Sequence, residues 1–183
     1  MSSGSEILIC ELRVPTRDGD FVARYSSRGL CRLEFPAHAC GLQAKEECFR
    51  HKTDSGSAQT IQPDITRRWH KLTFGALASA LAGEPVGELP PLDLTSGTGF
   101  QQSVWEVMRR IRHGETRSYG EVARAIGRPK ALRAVGGACG ANPIPVLVPC
   151  HRVLAAGARL GGFSGGLDWK RKLLALEGVK FGE

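Results

Sequence analysis

Pro149-Cys150-His151-Arg152-Val153 is the segment of this sequence best suited to covalent chemistry. A thiolate is a strong nucleophile, and a neighbouring imidazole or cation lowers the pKa of the thiol that forms it. The apolar run Val146-Leu147-Val148 reads as a short buried strand, ended by Pro149 just before Cys150. The alternative for Cys150 is a small buried hydrophobe, a common state for a cysteine that is not oxidised. Adjacent side chains on an extended chain point to opposite faces, so His151 need not touch the sulfur directly.

Four further residues have a plain structural reading. Asn142 precedes Pro143, as in an Asx turn. Tyr119 could be a core tyrosine in the first turn of a helix. Arg133 could be an ordinary surface arginine, and Glu177 a solvated glutamate on the last helix.

The elements that must position these residues are well punctuated. Residues 6–14 and 21–35 read as strands, the second stretch as a hairpin, with turn signals at Arg17-Asp-Gly-Asp20 and Ser26-Ser-Arg-Gly29. Residues 37–63 are polar and read as a long loop with room for a short helix. Asp64 can cap a helix to about Leu81, with Ile65, Trp69, Leu72 and Ala76 on one face and Gly83 as its stop. Residues 84–97 hold Pro85, Pro90 and Pro91 and form the best linker, dividing the chain into 1–90 and 91–183.

Thr98-Gly-Phe-Gln101 and Ser118-Tyr-Gly-Glu121 both have capping-box form. The first opens a helix with Phe100, Val104, Met108 and Ile111 at helical spacing. The second opens a short helix with Tyr119, Val122 and Ile126 on one side. Gly127-Arg-Pro-Lys130 breaks that helix, and another runs from about Ala131 to Cys139. Two short helices on a tight turn resemble a helix-turn-helix, or equally a generic helical corner. Residues 155–166 are glycine-rich, and Asp168 can cap a last helix carrying Leu173, Leu174 and Leu176.

The chain has 183 residues, 42% apolar and 23% charged, which excludes disorder and collagen-like structure as its main state. No apolar run is long enough to span a membrane, and the N-terminus shows no secretory signal. The expected location is therefore cytoplasmic in a bacterium, or nuclear in a eukaryote. Residues 1–100 hold 11 basic and 12 acidic side chains, whereas residues 101–183 hold 14 and 6. A second half at +8 suggests an anionic partner such as nucleic acid, or else a solvated basic surface. The six cysteines form no CxxC pair, and reduced thiols are expected. Cys40, Cys48 and His51, with His38 nearby, do not have a known zinc spacing.

Val148-Pro-Cys-His-Arg-Val153 resembles the active-site signature of the O6-alkylguanine-DNA alkyltransferases. Phe100-Gln-Gln-Ser-Val-Trp105, Ser118-Tyr119, Gly127-Arg-Pro, Arg133-Ala-Val-Gly-Gly137, Asn142-Pro143, Gly165-Gly166 and Leu173-Leu174 with Glu177 follow in that family's order. The likeness is close over residues 98–178. It is loose before them, through Phe21-Val-Ala-Arg-Tyr25 and Gly29-Leu-Cys-Arg-Leu-Glu-Phe-Pro36.

The resemblance implies an α/β (α+β) fold, with a small ribonuclease H-like sheet and helix in 1–90 and a mostly helical domain in 91–183. It implies stoichiometric, irreversible transfer of an alkyl group from O6 of guanine, and less so from O4 of thymine, to Cys150. His151 would take the thiol proton through a water, oriented by Glu177. Asn142 would link a helix end to the active-site turn. Tyr119 would donate to N3 of the departing guanine. Tyr119, Pro145, Val153, Phe163, Ser164 and Gly165 would line the substrate pocket, with Phe163 where the family often has tyrosine. Backbone groups of Cys150, Val153 and Ser164 would read the base edge.

The implied partner is double-stranded DNA, entered from the minor groove without sequence preference and bound by a monomer, with clustering on DNA left open. Arg133 would fill the space of the extruded base. Ala134, Gly136, Gly137 and Ala138 would allow close approach. Arg124, Arg128 and Lys130 are candidate phosphate contacts. No cofactor is implied. Some members hold a structural zinc, but here only Cys10 and Cys31 lie near ligand positions and Ser26 replaces a third, so no metal is expected. The competing readings are a lesion binder without transfer, a helix-turn-helix transcription factor and a cysteine hydrolase.

Overall fold

The computed structural model describes residues 10–36 and 63–182, in two compact units. One comprises the chain up to Phe74 with Glu88–Asp93; the other comprises Gly75–Gly87 and everything from Leu94. Residues 6–9 and 37–62, with the Cys40, Cys48, His51 and His38 group, lie outside the described residues. The fold is mixed α/β.

In the first unit β1 (Cys10–Val14), β2 (Phe21–Ser26) and β3 (Gly29–Glu34) form an antiparallel sheet in that order. Phe21, Ala23 and Tyr25 alternate along β2 and are fully buried, the period-2 pattern of a half-buried strand. Leu30 of β3 bridges to Leu92 beyond the linker prolines, and Ser26 donates to Asp93 at 2.5 Å.

Helix α1 (Pro63–Ala82) buries Thr66, Thr73, Ala76, Leu77 and Leu81, while Ile65 stays 42% exposed. The buried stripe is thus rotated from the expected one: the Tyr25 hydroxyl donates to Thr73 at 3.0 Å and lies 3.1 Å from His70 Nδ1, which turns that face inward. Asp64 is not the cap; it sits inside the first turn, solvated and paired with Arg67.

The second unit is built on helices. Helix α2 (Gly99–Arg109) starts at the Thr98–Gln101 capping box and buries Val104, Trp105 and Met108. Strand β4 (Arg117–Ser118) leads into α3 (Tyr119–Ala125), opened by the Ser118–Glu121 box. Gly127, at φ +70, lets the chain reverse after α3 without the penalty a Cβ would bring. Helix α4 (Leu132–Gly140) then packs on α2 and α3, and Trp105 Nε1 donates to Ala138 O at 2.8 Å. Strand β5 (Val153–Leu154) pairs in parallel with β4, and α5 (Leu167–Leu176) buries Lys170, Leu173 and Leu174.

Two local expectations fail here. Val146-Leu147-Val148 is a buried turn and not a strand: Val148 N donates to Ile144 O at 2.9 Å, and Val146 has φ +72. Pro143, Pro145 and Pro149 withhold the N–H groups a ladder would need, so the apolar run buries without pairing. Asp168 lies in the first turn of α5 behind its Gly166 cap, exposed and 3.3 Å from Arg171. Its charge still suits the helix N-terminus, but it makes no cap hydrogen bond.

Candidate active site

Cys150 opens a single turn of 3-10 helix, Cys150–Arg152, immediately before β5. The turn is anchored from the end of α4. Asn142 Nδ2 donates to Val148 O at 2.8 Å and to Cys150 Sγ at 3.1 Å, while its Oδ1 accepts from Ile144 N at 3.1 Å. One buried amide therefore holds both ends of the proline-rich turn and faces the sulfur. Burial pushes the Cys150 thiol up to about 11, against the Asn142 hydrogen bond and the Lys170 charge, which pull it down. At neutral pH the sulfur keeps its proton and needs a base to become a nucleophile.

An imidazole with the properties of such a base lies next in the chain. His151 is 1% exposed, and its Nε2 is 2.9 Å from Glu177 Oε1. Burial favours the uncharged Glu177 acid, but hydrogen bonds and charges from His151 and Arg152 outweigh it and hold the carboxyl down at about 2. An ionised carboxylate only accepts, so Nε2 carries the proton and Nδ1 carries the lone pair. Nδ1 is buried without a hydrogen-bond partner among the described residues. Burial lowers the His151 pKa more than Glu177 restores it, so the ring is neutral at rest and able to accept.

Glu177 is itself fixed. Arg152 reaches it through Nε at 3.0 Å and Nη2 at 2.8 Å, and uses Nη1 on Ile111 O at 2.7 Å. The Glu177 Oε2 also accepts from Gly114 N at 3.2 Å. The imidazole is thereby oriented through a carboxylate with four donors, a geometry that leaves it one acceptor position.

Tyr119 stands at the head of α3, one residue beyond β4, so the β4–β5 pairing brings it near the strand that follows Cys150. Burial and the neighbouring thiols raise its pKa, although the Gly162 backbone N–H works the other way, and the phenol stays protonated at neutral pH. A Cβ at Gly161, already at φ +64, would meet the phenol oxygen at 2.7 Å. The loop backbone therefore lies directly on the Tyr119 hydroxyl.

An open cavity of about 550 Å³ is lined by Tyr119, Leu132, Arg133, Gly136, Gly140, Gly162, Phe163 and Ser164. This is a usual size for a small-molecule site. Arg133 and Ala134 are exposed on α4, whose other side buries Val135, Ala138 and Cys139. Pro145 and Val153 lie buried and off the cavity lining, and Gly165 is half-buried. Arg124 lines a separate groove with Arg110 and Arg117, whereas Arg128 and Lys130 are exposed in the α3–α4 turn. The N–H groups of Cys150 and Val153 are already used on Val148 O and Cys150 O, so any reading of a base edge at those two residues falls to their carbonyls.

Residues 99–179 match the family model described as 6-O-methylguanine DNA methyltransferase, DNA binding domain. A methylated-DNA–protein-cysteine methyltransferase of Methanosarcina barkeri is 45% identical over 150 residues, 79% of this chain and 94% of the relative. The chain belongs to this family. The Mycobacterium tuberculosis methylated-DNA–protein-cysteine methyltransferase is 54% identical over 124 residues, 65% of this chain and 74% of that one. The crystal structure of the Mycobacterium tuberculosis OGT in complex with DNA superposes with a TM-score of 0.67 at 37% identity, covering 90% of each chain.

Two residues of this methyltransferase site were not singled out for a role by sequence reasoning. Arg152 sits inside the Cys-His-Arg motif, and its burial beside Glu177 was the missing half of that signal. Lys170 is fully buried, and its ammonium donates to the carbonyls of Val153 at 2.7 Å, Leu160, and Gly162 at 3.5 Å. It ties the loop that walls the cavity to β5. Nothing in the polar stretch Asp168-Trp-Lys-Arg-Lys172 marks it as the inward member, apart from its place three residues before Leu173.

Proposed function

We propose that this methyltransferase repairs O6-alkylguanine in double-stranded DNA by moving the alkyl group onto Cys150, once per molecule. The observation that carries this reading is a buried thiol held by Asn142 beside a neutral histidine whose tautomer is set by Glu177. His151 Nδ1 takes the thiol proton through a water, and the thiolate attacks the O6-bound carbon. The C–S bond forms as the C–O6 bond breaks, and the electron pair goes to the guanine. Tyr119 passes its hydroxyl proton to N3 as that charge develops, and the proton taken up by His151 returns to the phenolate through water, so the guanine leaves neutral. The thioether does not hydrolyse, so the protein is consumed.

Inside a duplex the O6 carbon is out of reach of the buried sulfur, so the nucleotide must be extruded, at a cost of a few kcal/mol. Arg133, exposed beside the cavity, fills the vacated stack. Ala134, Gly136 and Gly137 let α4 approach the minor groove, and Arg128 and Lys130 hold phosphates. Intact-mass measurement after incubation with an O6-methylguanine duplex should show one methyl on Cys150 and a 1:1 limit. Repeated turnover, or an adduct elsewhere, would overturn the reading. Cys150→Ala should abolish transfer and keep DNA binding.

A further inference from the structure

Among the described residues four large apolar side chains stand 40% exposed or more, and one of them, Leu132 at 48%, begins α4 beside Arg133. It precedes Val135 by three residues and Cys139 by seven, so it continues the apolar stripe that buries both. Unlike them it has no protein covering it to the same degree, because it stands at the helix end. It also lines the cavity with Tyr119, Phe163 and Ser164. The remainder of the exposed α4 surface around Arg133 is small, with Ala134 and Gly137. A solvated leucine on such a helix is the side chain with most apolar surface to lose when another body arrives.

We propose that Leu132 is an apolar DNA contact, seated against the deoxyribose edges next to the extruded nucleotide. This rests on the proposed repair reading and adds to it a component of affinity that does not depend on ions. Proteins that enter the minor groove use apolar side chains against its walls and base steps. Lysine and arginine contacts to phosphate release counterions and weaken with salt, whereas a leucine against sugar carbons releases none. Loss of Leu132 should therefore lower affinity equally at all salt concentrations. Loss of a phosphate contact such as Lys130 should lower the salt slope by about one.

The test is an anisotropy titration of a labelled duplex holding one O6-methylguanine, over about 50 to 300 mM salt. It uses the wild-type chain, Leu132→Ala, Leu132→Met and Lys130→Ala. Alanine is a good helix former at an exposed site, so Leu132→Ala should fold, as thermal unfolding will verify. Leu132→Ala should bind roughly threefold to tenfold more weakly, the scale of half a leucine side chain left wet, with the wild-type slope. Leu132→Met should restore most of the affinity, and Leu132→Ala should lower methyl transfer from free O6-methylguanine base less than it lowers duplex affinity. Unaltered duplex affinity would overturn the proposal, as would a changed salt slope or an equal loss with the free base. If the wild-type chain itself failed to bind the duplex, the repair reading would fall as well.

Discussion

Asn142 places its amide nitrogen 3.1 Å from the Cys150 sulfur and 2.8 Å from the Val148 carbonyl oxygen. The same side chain supports the turn and the sulfur, and substitution can separate the two. Asn142→Ala leaves the buried Ile144 N–H without its acceptor, at about 1–3 kcal/mol, and strips the sulfur of its donor. Asn142→Asp keeps an acceptor for Ile144 but has nothing to donate to sulfur when ionised. Both variants should transfer methyl on the order of tenfold more slowly or worse, as single-turnover rates will show. An Asp variant as fast as wild type would mean the amide serves only the turn.

Glu177 links the site to acid stability. Its folded pKa, about 2, lies below the ordinary carboxylate range. Ionised Glu177 therefore stabilises the fold above that range, and the contribution is lost as pH falls toward 2, on the order of 2–3 kcal/mol. His151 acts in the same direction, since its lowered pKa makes the unfolded chain the better proton acceptor below its ordinary value. Thermal unfolding between pH 7 and pH 3 should fall more steeply for wild type than for Glu177→Gln. Parallel curves would refute the assignment of an ionised, buried carboxylate.

Lys170 holds the cavity wall. Lys170→Met keeps the length of the side chain but leaves the carbonyls of Val153, Leu160 and Gly162 without their shared donor. The expected loss is about 2–5 kcal/mol in a denaturant titration, with faster amide hydrogen exchange at residues 160–164. If exchange rises evenly across the second unit, the lysine is a general core group and not a clasp for this loop.

Arg133→Ala should slow repair of a lesion in duplex DNA more than transfer from the free base, because only the duplex requires a nucleotide to be held outside the stack. The ratio of the two single-turnover rates is the measurement. An equal effect on both substrates would remove Arg133 from the extrusion step.

The parts of this architecture written in local chemistry were legible in the sequence. Thr98–Gln101 and Ser118–Glu121 form both reciprocal bonds of their capping boxes, and the Gly127-Arg-Pro-Lys130 break falls between α3 and α4. Asn142 bonds to Cys150, and His151 to Glu177 across 26 residues that carry no local periodic signal. What misled was ambiguity of period and position. Val146-Leu147-Val148 is apolar enough for a strand, yet the flanking prolines leave it no ladder. Asp64 and Asp168 look like caps, but each helix begins one residue earlier. Arg152 and Lys170 were unreadable because their burial depends on carbonyls and a carboxylate brought from 8 to 41 residues away.

The loop backbone resting on the Tyr119 hydroxyl ties the fate of two distant positions together. A side chain at 161 would require the phenol to be evicted and the local chain to leave its left-handed conformation, so neither change is available alone. Directed evolution of this protein toward bulkier adducts should therefore recover diversity at position 161 only where a shortened residue at 119 is accompanied by a rebuilt loop backbone.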